Sequence, residues 1–152
     1  MRNICAKVWQ NDIFLTTLLT WIITQTIKIL LQGSSARRFN FKWMLETGGM
    51  PSAHAAGVSA LATAVGLNVG FESPLFAVTC IFSLVTMFDA QGVRRATGRQ
   101  AGVLNKIIDD IYLNKGIREE RLKELIGHTP FQVIVGALLG VVLALLYHRV
   151  VK

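Results

Sequence analysis

Apolar residues in this chain gather in four long runs, at 13–31, 53–71, 75–90 and 131–147. Each approaches the roughly 20 residues that carry an α-helix across the hydrocarbon core of a bilayer. Glu72, Ser73 and Pro74 are all that separates the second run from the third, so those two are read as antiparallel helices joined by a tight turn. The first run is longer than the roughly 7 to 15 residues of a signal-peptide core, and no small-residue cleavage pattern follows Lys28 and Gln32. It is read as a mature helix. With four crossings, the polar segments 32–50 and 91–129 fall on one side of the membrane. In the second of these, Ala101, Leu104, Ile107, Ile108 and Ile111 recur at helical spacing, and Ile117, Leu122, Leu125 and Ile126 do so again further on. They predict two short amphipathic helices at headgroup level, or packed over the bundle. The expected fold is all-α: a polytopic membrane bundle of about four transmembrane helices, forming a single domain over residues 1–152.

Composition strengthens this picture. At 52% hydrophobic and 16% charged residues, a chain of 152 residues is too apolar for an ordinary soluble domain. The formal net charge of +7 raises the possibility of nucleic acid, but the basic residues cluster between apolar runs, where they meet lipid headgroups or phosphorylated substrates. No nucleic-acid partner is expected. Eleven Lys or Arg fall in the two polar segments, against Arg2, Lys7, Arg149 and Lys152 on the other side. The positive-inside rule therefore puts both segments in the cytoplasm, in a bacterial plasma membrane or its organelle equivalent. Cys5 and Cys80 form neither a disulfide framework nor a zinc spacing, and no metal or cofactor is expected. Gly136 and Gly140 make a G-x-x-x-G pair in the last helix, while Ala53, Ala56, Gly57, Ala60 and Ala64 supply small residues in the second. Helices in lipid associate through such small faces, so these two are expected to pack closely. The same glycine face also suits a homodimer.

Chemistry concentrates where loops meet helices. In Gly48-Gly49-Met50-Pro51-Ser52-Ala53-His54, Pro51 and Ser52 have the character of helix-start residues. A helix start offers unpaired N–H groups to an anion, and His54 in the first turn is placed to donate a proton. Gly127-His128-Thr129-Pro130 opens the fourth helix, with Thr129 and Gln132 spaced as a capping box. At the end of the third run stand Asp89, a carboxylate near the hydrocarbon boundary, and Arg94 and Arg95, whose guanidinium forks suit phosphate oxygens. Lys28 lies near the cytoplasmic end of the first helix, where a cation either snorkels or finds a partner, and Arg37, Arg38 and Lys42 follow it. Two histidines, a lysine and several arginines at one membrane surface are suited to metal-free phosphoryl transfer.

These motifs, G-G-M-P-S-A-H at 48–54, D-A-Q-G-V-R-R-A-T-G at 89–98 and L-K-E-L-I-G-H-T-P from 122, resemble the divergent branch of the type-2 phosphatidic acid phosphatase superfamily. The resemblance spans residues 28–140. It implies that His54 is the general acid with Ser52 contacting phosphate, that His128 is the nucleophile, that Arg94 or Arg95 supplies the arginine of the third motif, and that Lys28 is the lysine of the first. It also implies a lipid phosphatase. The wider superfamily follows its nucleophile by four residues with an aspartate; here that place is Gln132. Either catalysis is slower, or Asp89 supplies the charge from another helix. Expected substrates are a phosphomonoester or pyrophosphate on a lipid, such as phosphatidylglycerol phosphate or an isoprenoid phosphate. The alternative expectation is a non-catalytic membrane protein that binds anionic lipid phosphate or scaffolds a partner.

Overall fold

The computed structural model describes residues 6–36, 49–112 and 128–152; side chains at 35, 36, 93–97, 99 and 110–112 fall outside the description. Among the described residues the long helices are, in order, α1 (Asp12–Ala36), α2 (Ala53–Val69), α3 (Pro74–Tyr112) and α4 (Pro130–Val151). No strand occurs among the described residues. Three stretches, Asp12–Ser34, Pro74–Gly92 and Pro130–Val151, are long and apolar enough to cross a membrane. α2, at 17 residues, is shorter, about 26 Å at ~1.5 Å per residue.

That short helix is the centre of the molecule, because α1, α3 and α4 all pack on it. Its sequence explains why. Ala53, Ala55, Ala56, Gly57, Ser59, Ala60, Ala62 and Ala64 are all buried, and a helix with so little side-chain bulk lets neighbours approach its backbone. Gly136 and Gly140 of α4 complete the contact. A Cβ on Gly136 would collide with the Ser52 backbone, and one on Gly140 with the Ala56 carbonyl. The G-x-x-x-G face is thus spent inside the bundle, on α2. α1 turns Thr16, Thr20, Thr24 and Lys28 inward, all four buried at a four-residue spacing. The Thr16 and Thr24 hydroxyls donate to the Asp12 and Thr20 carbonyls four residues back, which satisfies them without a partner helix. Between α2 and α3, the Ser83 hydroxyl donates to the Val58 carbonyl at 2.8 Å.

Large apolar side chains face outward: Trp21, Ile22 and Leu30 on α1, Val78, Ile81 and Val85 on α3, Ile134, Leu138 and Leu145 on α4. Small and hydroxyl-bearing residues lie inside. This distribution suits lipid as the solvent, since tails offer apolar side chains no reason to bury and leave close packing to small residues. The turn between α2 and α3 runs as its residues demand: Gly70 takes φ +110°, and the Ser73 hydroxyl accepts from the Phe76 N–H at 3.2 Å, so that Pro74 opens α3.

One element departs from expectation. The third helix does not stop at residue 90 to give a loop and a separate amphipathic segment; α3 runs unbroken for 39 residues. Between Leu75 and Tyr112 there is no proline, and isolated glycines such as Gly92 cost a helix only about 1 kcal/mol each, too little to end it. At ~1.5 Å per residue α3 is ~58 Å long, so its outer half exceeds a ~30 Å hydrocarbon core. The second amphipathic pattern, at 117–126, lies outside the described residues.

Candidate functional site

The C-terminal part of α1, the starts of α2 and α4, and the middle of α3 meet at one end of the bundle. Ser52 caps α2, its hydroxyl accepting from the Ala55 N–H, and its own N–H donates to the Gln132 carbonyl in the first turn of α4. Two helix starts are thereby tied together. The His128 N–H donates to the Ala90 carbonyl at 3.3 Å, which fastens the entry to α4 onto α3. Within this frame the imidazoles of His54 and His128 stand with ring centres 6.3 Å apart and planes inclined by 60°. His128 is 3% exposed, whereas His54 is open to the outside.

The capping box of α4 decides the state of His128. Thr129 and Gln132 cap reciprocally, the Thr129 N–H donating to Gln132 Oε1 at 3.0 Å and the Gln132 N–H to Thr129 Oγ1 at 3.3 Å. Because a backbone N–H can only donate, the atom facing it is the amide oxygen. That same oxygen lies 3.3 Å from His128 Nδ1. An amide oxygen can only accept, so this contact puts a proton on Nδ1, and in the neutral ring the lone pair is then on Nε2. Gln132 thus does for the ring's orientation what a carboxylate would, without its charge.

Lys28 reaches the same place from α1. It is 3% exposed and so does not snorkel outward. Its Cε lies beneath Gly49, 3.3 Å from where a Cβ would stand on that residue. Gly49 has φ +85°, and its missing side chain leaves room for the ends of Lys28 and Gln32. The Gln32 Oε1 is a buried acceptor with no partner among the described residues.

The structure therefore brings Lys28, Ser52, His54 and His128 to one end of the bundle. Ser52 is fully enclosed and acts there as a cap. Asp89 is exposed on α3, while the Nδ1 contact of His128 runs to Gln132. Arg94 and Arg95 continue α3 past Ala90, with their side chains outside the described set, and Arg38 lies outside the described residues altogether. Sequence reasoning missed the bond between Ala90 and His128, which a backbone carbonyl makes and no side chain advertises. Gln132, which the resemblance put in the place of the superfamily's orienting carboxylate, does stand against His128 Nδ1.

No solved structure matches this chain. Over 146 residues it is 42% identical to a protein of Bacillus subtilis (strain 168) described as "Uncharacterized membrane protein YuiD", an alignment covering 89% of this chain and 92% of that one. Residues 9–143 match the family described as "Divergent PAP2 family", nearly the whole length over which the helices and both histidines are distributed. The chain is a membrane protein and belongs to the divergent PAP2 family.

Proposed function

We propose that this protein is a lipid phosphatase, hydrolysing a phosphomonoester or pyrophosphate at the cytoplasmic leaflet with His128 as nucleophile and His54 as general acid. The observation that carries the reading is the pair of imidazoles with centres 6.3 Å apart at two helix starts. A nucleophile waits ~3–3.5 Å from the atom it attacks. An acid lies ~2.6–3.2 Å from the oxygen it protonates, so rings this near one another can act on the same phosphoryl group. The Nε2 lone pair of His128 attacks phosphorus, the bond from phosphorus to the lipid oxygen breaks, and His54 gives that oxygen its proton. Water then attacks the phosphohistidine, His54 takes a proton from it, and the phosphorus–nitrogen bond breaks to release phosphate. Lys28, the helix-start N–H groups and the guanidinium groups of Arg94, Arg95 and Arg38 supply positive charge for the equatorial oxygens. Asp89 is placed in this reading at the rim, acting on the site from α3. The cytoplasmic orientation rests on the eleven basic residues of segments 32–50 and 91–129.

The test is phosphate release from lipid phosphates by the purified protein in detergent. His128→Ala and His54→Ala are each expected to lose at least about 100-fold in rate. Equal rates in wild type and both variants would remove the catalytic assignment.

A second reading is supported by Gln132. A neutral amide beside His128 cannot stabilise an imidazolium by charge, which suits a protein that holds a lipid phosphate, or scaffolds a partner around it, without turnover. That reading requires saturable binding of lipid phosphate with phosphate release no faster than background.

A further inference from the structure

α1 and α3 both pack on α2 but scarcely on each other, and the space between them is a groove of about 370 Å³ floored by α2. Phe14, Trp21, Val58, Leu61 and Phe82 wall it almost wholly with carbon, and Gly57 forms part of its floor. Its lining begins at Ala53 and His54 and continues to Leu61, about 12 Å along α2 at ~1.5 Å per residue. One end of the groove is therefore lined by His54, whose imidazole stands 6.3 Å from that of His128. The side of α2 toward α4 offers no such space, since Gly136 and Gly140 press there on the Ser52 and Ala56 backbones.

We propose that this groove seats one hydrocarbon chain of a phosphate-headed lipid, entering sideways from the bilayer between α1 and α3, with its phosphate delivered to His54 and His128. The proposal deepens the phosphatase reading and rests on it for the position of the phosphate. Three features select a lipid chain as occupant. The volume is that of a small-molecule site. The walls include Trp21 and Phe82, which are 41% and 55% exposed on the face that meets lipid. The groove reaches His54, whose ring stands 6.3 Å from that of His128, and Lys28 lies toward that end of the bundle. Gly57 sets the depth: a Cβ added there would find only Trp21 Cδ1, at 3.9 Å, so a larger side chain would grow into the groove rather than into a neighbouring helix.

The experiment uses the full chain in detergent micelles, with Trp9 and Trp43 replaced by Phe so that Trp21 alone reports. A single-chain alkyl phosphate brominated along its chain is titrated in, beside the brominated alcohol of the same length. Saturable quenching is expected, with half-saturation at least about tenfold lower for the phosphate than for the alcohol. Gly57→Leu is expected to weaken the phosphate's quenching by about tenfold, and Phe82→Ala, on an exposed wall, to weaken it without disturbing the helical spectrum. Equal quenching by alcohol and phosphate, or quenching unmoved in both variants, overturns the groove. Hydrolysis of hexadecyl phosphate against a chainless phosphate such as glycerol phosphate separates the two ideas. Release from neither, with quenching intact, removes the phosphatase and leaves the groove. Release from both, at a ratio that Gly57→Leu leaves unchanged, removes the groove and leaves the phosphatase.

Discussion

At the scale of single residues, the site turns on Gln132, whose side-chain oxygen serves a helix cap and a histidine at once. Gln132→Glu preserves the capping box and adds a charge that stabilises an imidazolium; phosphate release is expected to rise several-fold, read as initial rate at fixed protein. Gln132→Ala removes both contacts. It is expected to cost about 1 kcal/mol of stability, seen as a lower midpoint of thermal unfolding in detergent, and to slow release as His128 loses its fixed tautomer. Both histidines were legible in the sequence because each sits beside helix-start residues, a local signal. The approach of Lys28 to Gly49 was not, since it depends on how α1 leans against α2 and no spacing along the chain records that.

Among elements, the glycines divide by what surrounds them. Gly92 lies in α3 with nothing within 4 Å of where a Cβ would stand. Gly92→Ala is expected to stabilise by about 0.5–1 kcal/mol, since the open position gains helix propensity at no steric cost. Gly140→Ala is expected to destabilise by about 1–3 kcal/mol, because its methyl meets the Ala56 carbonyl and the two helices must part. Thermal unfolding of the two variants side by side checks the opposite signs. Helix starts at Ser52 and Thr129 were readable from cap chemistry, and so was the packing of small residues across α2 and α4. The continuity of α3 was misjudged because polarity rises after Ala90. A change of solvent along a helix alters which face is polar but does not break the backbone, and only a proline or a run of turn residues does that.

For the whole molecule, an apolar exterior around a small, hydroxyl-bearing interior was foreshadowed by composition, and the family follows from nearly the entire length. The central place of α2 was not foreshadowed, because its small residues announced one close neighbour, α4, and not the α1 and α3 that pack on it as well. Topology has its own test. With Cys5 and Cys80 replaced by Ser and Gln100, exposed on the outer half of α3, replaced by Cys, an impermeant maleimide is expected to label inside-out vesicles and spare right-side-out ones. Labelling from the outside would invert the orientation. The seam between α2 and α4 has a final implication for the reaction centre. Gly136 sits against Ser52, the residue that caps α2, two positions before His54. The gap between the two imidazoles is therefore gauged by an absent methyl: α4 settles against α2 as closely as a glycine allows, and the rings come to rest 6.3 Å apart.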